Sequence, residues 1–209
     1  LEGPPQSPRT QRVTRIRPGH ADLPGAMKYG FDDIRNVLER SSARETAGRV
    51  AAGAIAFKLL EEFGIRIHSH VISIGSIQAE PPENIDWEAV EESPVRCADP
   101  SAAVKMAAEI DATKEAGDTV GGTCEIIVEN VPIGLGSHVS WDRKIDALVA
   151  QALMSINAVK AVSIGPGWEV SSQKGSQVQD VIQPVTDPDR PWQRNTNRLG
   201  GTEGGMTNG

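Results

Sequence analysis

Arg40-Ser41-Ser42-Ala43-Arg44-Glu45-Thr46 opens a segment rich in small residues that continues to Gly64. A serine followed three residues later by a glutamate predicts a capping box, with Ser42 as the N-cap residue and Glu45 closing the box. The pattern indicates a helix that runs to about Phe63 and stops at Gly64. Its alanines and glycines allow other elements to approach closely, so we expect this helix to be central to the fold.

Outward from this helix, the hydrophobic pattern predicts strands. Residues 65–77 and 123–131 alternate polar and apolar side chains, as strands do. Shorter strands are predicted at residues 158–164 and 168–172, on either side of Gly165-Pro166-Gly167. Strands that alternate in this way suit sheets with one face in water, which favours an α+β fold.

Start and stop residues predict the other helices and the loops. Asp99 followed by Pro100 is typical of a helix start, and this helix should end near Gly117. Ser140 or Asp142 is the predicted cap of the next helix, which carries an apolar stripe. Residues 81–94 are predicted to be a loop, and residues 173–209 to have little regular structure.

Composition limits the function classes. Hydrophobic residues make up 38% of the 209 residues, and the formal net charge is −7. The chain therefore has the composition of a folded domain without a membrane span, and its acidity argues against nucleic acid or an anionic membrane as a partner. Cys97 and Cys124 form neither a disulfide framework nor a metal-type spacing, which favours a reducing cytoplasm. Because the first residue is leucine and the last lies in a glycine-rich motif, we expect a piece of a longer protein.

His20 and Arg17 lie three residues apart ahead of the small-residue helix. A histidine gives or takes a proton near neutral pH, and an arginine offers a planar, permanent charge for phosphate or carboxylate. Together they suit proton transfer beside an anion. The alternative is a loop histidine bonded to the backbone, with Arg17 on the surface.

Two further segments carry donors for an anion. Arg40-Ser41-Ser42 lies at the predicted start of the helix, where the free N–H groups and the positive end of the helix dipole would meet an anion. The alternative is that Ser42 only caps the helix and Arg40 is solvated. The glycine-rich stretch from Gly200 to Gly209 presents backbone N–H groups to a phosphate or a flat ring, unless it is a flexible tail. His68 and His70 share a strand face without a third ligand at a sensible spacing, so we expect no metal site.

The order of these motifs resembles that of the chorismate synthase family from about residue 13 onward. The resemblance rests on these blocks: Thr14-Arg15-Ile16-Arg17-Pro18-Gly19-His20-Ala21-Asp22, Lys28-Tyr29-Gly30, residues 40–46, Ser93-Pro94-Val95-Arg96-Cys97, Gly117-Asp118-Thr119-Val120-Gly121-Gly122, Val131-Pro132-Ile133-Gly134-Leu135-Gly136, residues 152–160 and residues 194–209.

The resemblance implies a β-α-β sandwich with helices between antiparallel sheets, assembled as a homotetramer. It implies loss of phosphate from 5-enolpyruvylshikimate 3-phosphate by 1,4-anti elimination, which gives chorismate on the way to the aromatic amino acids. Reduced FMN is required although there is no net redox change. NADPH is the candidate reductant for the flavin in the complete protein.

Residue by residue, the resemblance assigns a proton-transfer role to His20. It places Arg17 against the anionic groups of the substrate. It assigns FMN contacts to three places in the chain. These contacts are Arg40, Ser41 and Ser42 at the head of the helix, Asn157 and Ala158 after the third helix, and Gly204 in the glycine-rich loop.

The chain also departs from the family pattern. The family's Gly-Glu-Ser-His-Gly motif, with a second catalytic histidine, and its Lys-Pro-Thr-Ser flavin loop do not occur in the sequence. We therefore expect an arm or linker at residues 1–12, an incomplete domain at residues 13–209, and no activity from this chain alone. The alternatives to an enzyme fragment are a non-catalytic flavin- or anion-binding module and a purely structural core.

Overall fold

The computed structural model describes residues 12–188 and 191–209. Most of the predicted arm, residues 1–11, lies outside the described residues. By their internal contacts the residues form two units. One unit comprises the chain up to Ile55 together with Pro132–Gly209, and the other is Ala56–Val131.

The first unit begins with two short helices, α1 (Asp22–Tyr29) and α2 (Arg35–Arg40), which pack against each other. Their close approach depends on Gly25. A Cβ atom at this position would lie 2.5 Å from Cγ1 of Val37, a buried residue of α2. Only glycine therefore lets the two helices meet without displacing the valine.

The small-residue segment forms α3 (Thr46–Glu62) after a 3₁₀ turn at Ala43–Glu45, and Gly64 follows with a φ of 74°. The predicted bounds are confirmed, but the predicted capping box is wrong. The Ser42 hydroxyl accepts from the Arg44 amide, and the Glu45 side chain turns forward to pair with Arg49. None of the helix residues is buried, so the expected central position is not seen in this chain.

The second unit is built on a three-stranded antiparallel sheet in the order β2-β1-β3. The strands are β1 (Arg66–Ile74), β2 (Ile77–Gln78) and β3 (Gly122–Glu129), and the β1–β3 register shifts between Val71 and Ser73. The two long strands predicted from alternation are confirmed, although the first ends in a turn and continues as β2.

Helix α4 (Trp87–Glu92) lies where a loop was predicted. The loop prediction is wrong because Asp86 is an N-cap residue: its carboxylate accepts from the amides of Glu88 and Ala89. Val90 of this helix is 1% exposed, so packing as well as capping stabilises the short helix.

Helix α5 (Pro100–Glu115) forms as its start residues predict, because the Asp99 carboxylate accepts from the amides of Ser101 and Ala102. Met106 on this helix is fully buried. It packs with Cys97, Ala102 and Ala103 in a buried core. Partly buried hydrophobic residues pack against this core: Val71, Ile74, Ile77, Ala79 and Val95.

The chain then returns to the first unit with a 3₁₀ turn at Trp141–Arg143 and helix α6 (Ile145–Met154). The predicted cap of this helix is wrong. Ser140 precedes the 3₁₀ turn and its hydroxyl bonds Asp142, whereas Lys144 directly precedes α6.

Short elements complete the first unit. The strands predicted at 158–164 and 168–172 are wrong: residues 158–164 are irregular, and a 3₁₀ helix spans Gly167–Ser172. Gly165 and Gly167 both have a φ of 56°, which ends the extended backbone there. The remaining elements are α7 (Gly175–Val178), the pair β4 (Ile182–Pro184) and β5 (Trp192–Arg194), and the pair β6 (Thr202–Glu203) and β7 (Met206–Thr207).

Helices together with small antiparallel sheets confirm the predicted α+β class. Within residues 12–188 and 191–209, no helix is both long enough and apolar enough to cross a lipid bilayer.

Candidate functional site

The Arg40–Ser42 segment is the junction between two helices. Helix α2 ends at Ser41, whose amide donates to the carbonyl of Val37 at 2.9 Å. Ser42 is extended, and its hydroxyl accepts from the Arg44 amide at 3.3 Å, which starts the turn into α3. The change of backbone direction places a cation and two hydroxyls on one short segment.

The Ser41 hydroxyl is the unusual group of this junction. Its oxygen is buried, and it has no hydrogen-bond partner among the described residues. Leaving a buried polar group unpaired costs about 1–3 kcal/mol, so such groups are rare in folded proteins. A bound molecule with a polar edge is a partner that would remove this cost.

A cleft of about 460 Å³ lies against the same junction. Arg40 and Ser41 line it on one side, and Ala21, the neighbour of His20, also lines it. The aromatic rings of Tyr29 and Phe31 contribute apolar surface. The cleft thus combines aromatic apolar surface, a permanent cation and a hydroxyl without a partner among the described residues.

The structure brings Asn157 to this junction from the other end of the sequence. Its side-chain amide donates to the Ser41 carbonyl at 3.2 Å, across a separation of 116 residues. Ala158 follows with a φ of 70°, in the left-handed region that non-glycine residues seldom adopt. Such a backbone persists only where its surroundings hold it, and such positions cluster at ligand sites.

His20 and Arg17 lie in the loop before α1, and the loop is fixed by a residue that the sequence analysis missed. Asp22 is fully buried, and its carboxylate accepts from the Arg17 backbone amide, Nε and Nη2 at 2.9–3.0 Å. The hydrogen bonds from the Arg17 side chain lower the pKa of the Asp22 carboxyl from 3.8 to about 2. The sequence signal for this contact was a lone aspartate five residues after an arginine in a short loop.

His20 itself is exposed at the turn that Gly19 makes with a φ of 75°. Its imidazole is therefore open to solvent or to a ligand, and its proton-transfer role stays a prediction. The predicted contact of Arg17 with a substrate also stays a prediction.

The glycine-rich segment forms an ordered hairpin. Gly204 and Gly205 make the two-residue turn between β6 and β7 with φ values of 60° and 89°. Positive φ at both positions is the backbone that matches the twist of a tight hairpin. A Cβ on Gly205 would also lie 2.4 Å from Cγ of Lys144, so the hairpin packs on the start of α6 through a glycine.

A salt bridge to the residue before the turn holds this hairpin. Arg194 binds Glu203 with two hydrogen bonds of 2.7 and 2.8 Å, and its Nη1 donates to the Asn208 carbonyl. The bond from Arg194 lowers the pKa of Glu203. The predicted flavin contact of Gly204 stays a prediction.

The two strand histidines have partners other than a metal. His70 is buried with Nε2 2.9 Å from Oε2 of Glu125, and the His68 ring stacks on Trp87 with centroids 4.3 Å apart. In the part of the chain that the structure describes, no group of three His, Cys, Asp or Glu side chains could hold a metal ion.

The α+β fold carries a cleft at the helix junction, lined by Arg40, Ser41 and two aromatic side chains, which is the candidate ligand site of this chain. The family model described as chorismate synthase matches residues 6–209. The chain belongs to the chorismate synthase family.

Curated relatives agree with this assignment. Chorismate synthase from Brevibacillus brevis (strain 47 / JCM 6285 / NBRC 100599) is 57% identical over 206 residues, which cover 97% of this chain and 53% of the relative. Those from Geobacillus sp. (strain WCH70) and Bacillus subtilis (strain 168) are 56% and 53% identical over 203 residues, covering 95% of this chain and 52% of each relative. The chain thus spans about half the length of the curated relatives it matches.

A solved structure, described as the crystal structure of chorismate synthase, superposes with a TM-score of 0.84 at 46% identity. The match covers 90% of this chain and 59% of that chain. The fold predicted from the family resemblance is therefore confirmed.

Proposed function

We propose that this chain carries part of the active site of a chorismate synthase, a carbon–oxygen lyase. The reaction is the 1,4-anti elimination of phosphate from 5-enolpyruvylshikimate 3-phosphate to give chorismate in the presence of reduced FMN. Membership of the family supports the reaction class. The observation that carries the proposal for this chain is the junction where Asn157 meets Ser41, whose buried hydroxyl has no partner within residues 12–188 and 191–209.

The residues present fit a flavin mononucleotide. The Ser41 hydroxyl needs a polar partner, and Tyr29 and Phe31 give the cleft the apolar surface that a fused ring system requires. Arg40 on the same cleft is a permanent cation suited to a phosphate or to the electron-rich edge of the ring. We assign flavin contacts to these additional residues: Ser42, Asn157, Ala158 and Gly204.

When bound, reduced FMN supplies electron density to the substrate while phosphate leaves. His20, exposed in its loop, exchanges a proton with the bound molecules, and Arg17, held by Asp22, faces the anionic groups of the substrate. The proposal extends to a homotetramer, NADPH as the candidate flavin reductant, and a cytoplasmic location for the complete protein.

The alternative is a module that binds flavin or anions without turnover. The absence of a Gly-Glu-Ser-His-Gly motif from the sequence favours this alternative for the chain by itself, because one of the two expected proton-transfer groups is then missing.

A titration with FMN tests the proposal. We expect flavin fluorescence and absorbance to change saturably as the chain is added to oxidised or, under anaerobic conditions, reduced FMN. Arg40→Gln should weaken binding because the cation of the cleft is lost, whereas Arg66→Gln, an exposed arginine on β1, serves as the matched control. The proposed site would be contradicted if binding did not saturate at millimolar concentration of the chain. It would also be contradicted if the Arg40→Gln variant bound FMN as well as the Arg66→Gln control.

A further inference from the structure

Arg49 connects helix α3 to the C-terminal end of helix α6. Its Nη1 donates to the Ser155 hydroxyl at 2.7 Å, and its Nη2 donates to the Ser155 carbonyl at 3.2 Å. The two residues are separated by 106 positions. Ser155 is the residue that ends α6, so the arginine satisfies a carbonyl that the helix leaves unpaired and adds a positive charge at its negative end.

The guanidinium is held from both sides. Its Nε donates to Oε1 of Glu45, one helical turn earlier, at 2.9 Å. The Ser155 hydroxyl in turn donates to the Ala152 carbonyl at 2.6 Å, which fixes the orientation of its lone pairs. All three guanidinium nitrogens are therefore engaged in a planar arrangement that lysine, as a point donor, does not reproduce.

This contact lies two residues before Asn157, which donates to the Ser41 carbonyl. Three long-range hydrogen bonds thus flank Ile156: two join Ser155 to α3, and one joins Asn157 to the helix junction. The same turn carries Ala158 with its left-handed backbone, a conformation that costs about 1–3 kcal/mol and needs support from its surroundings.

We propose that Arg49 is a positioning residue of the flavin site. By fixing Ser155 at the end of α6, it sets the place of Asn157 and Ala158 against the Arg40–Ser42 segment. The effect of Arg49 on flavin binding rests on the proposed function. Its role in holding the turn at Ser155 rests on the hydrogen bonds alone.

Flavin affinity measures the consequence. Arg49→Met keeps a long side chain but removes the fork, and we expect FMN binding to weaken on the order of ten- to a hundredfold, the range for hydrogen bonds to a charged group. Arg49→Lys should recover part of the loss because it retains the charge. Lys58→Met is the control: it removes a cation from the same helix, one that pairs locally with Glu61 at 2.7 Å.

Each affinity is calculated from the concentration of folded protein, and the folded fraction is measured by far-UV circular dichroism. If Arg49→Met fails to fold, Ser155→Ala replaces it, because this change removes the hydroxyl that accepts from Arg49 and leaves the guanidinium in place. Binding by a folded Arg49→Met variant within twofold of the Lys58→Met control would overturn the proposal.

Hydrogen exchange measures the mechanical role without flavin. The Ile156 amide donates to the carbonyl of Leu153 in α6 at 3.1 Å, and the Val159 amide donates to the carbonyl of Ile156 at 3.2 Å, so their exchange reports whether the turn is held against the helix end. We expect faster exchange at residues 155–159 in Arg49→Met and no change in Lys58→Met; unchanged exchange overturns the positioning role. If the unaltered chain binds no FMN, the proposed function fails for this chain while exchange still decides the role of Arg49.

Discussion

Replacing Ser41 by alanine should affect stability and flavin binding in opposite directions. The hydroxyl oxygen is buried without a partner among the described residues, so the folded chain bears its desolvation cost. An ordinary buried serine contributes a hydrogen bond, and its loss destabilises the protein. At Ser41 the described residues supply no such bond, so the substitution removes the desolvation cost instead.

The magnitude follows from two contributions. The unpaired hydroxyl costs about 1–3 kcal/mol in the folded state, and the small void left by one oxygen atom offsets part of the gain. We expect the free energy of unfolding of Ser41→Ala to be equal to that of the parent or higher by up to about 1 kcal/mol. FMN affinity should fall by roughly two- to tenfold, because a hydrogen bond to the ligand is lost.

The assay combines urea unfolding, followed by far-UV circular dichroism, with FMN titration. Ser42→Ala is the control for the sign of the stability change: its hydroxyl accepts from the Arg44 amide, so the free energy of unfolding should fall by about 0.5–1 kcal/mol. A fall of more than about 1 kcal/mol in Ser41→Ala would show that its hydroxyl has a partner in the folded chain. Unchanged FMN affinity would remove Ser41 from the flavin site.

The remaining predictions concern the chemistry of the site and the pH dependence of the loop beside it. The 209-residue chain alone should release no phosphate from 5-enolpyruvylshikimate 3-phosphate with reduced FMN under anaerobic conditions, because the sequence lacks the family's second histidine motif; robust release would refute this. In a complete protein that contains this chain, His20→Ala should lower turnover by roughly two to four orders of magnitude with a smaller change in KM, and a loss below about tenfold would return His20 to a structural role. The Asp22 carboxyl has a pKa of about 2 in the folded chain against 3.8 ordinarily, so the unfolded chain binds the proton more readily. The stability that Asp22 provides is therefore complete above pH 3.8 and is lost as the pH falls to about 2. Asp22→Asn should remove this acid dependence, and urea midpoints at pH 5 and pH 2.5 that shift equally in parent and variant would contradict the assignment.

Several elements could be predicted from the sequence because their causes are local. The helix after Asp99-Pro100 begins where the carboxylate accepts two backbone amides, a contact set by residues within three positions. The bounds of α3 follow from Ser42 and from Gly64, and the two long strands follow from alternation. The family motifs are likewise properties of the sequence.

Local signals also misled the prediction where two of them competed. Residues 81–94 contain prolines that favour a loop, yet Asp86 caps a helical turn that Val90 buries against the rest of its unit. The apolar residues near Gly165 and Gly167 alternate like a strand, but positive φ at both glycines breaks the extended backbone. The composition of residues 81–94 is compatible with a loop or a helix, and that of the segment near Gly165 with a strand or irregular backbone. Packing decided between these alternatives.

Local residues set the helix starts that follow Ser42 and Asp99, the two long strands and the motifs that identify the family. Tertiary packing alone brings Asn157 to Ser41 and Arg49 to Ser155, and it buries the Ser41 hydroxyl without a partner in the part of the chain that the structure describes. These contacts join residues more than a hundred positions apart. No neighbouring residue encodes them, because they form only when packing brings distant segments together and repays the entropy of closing the chain between them.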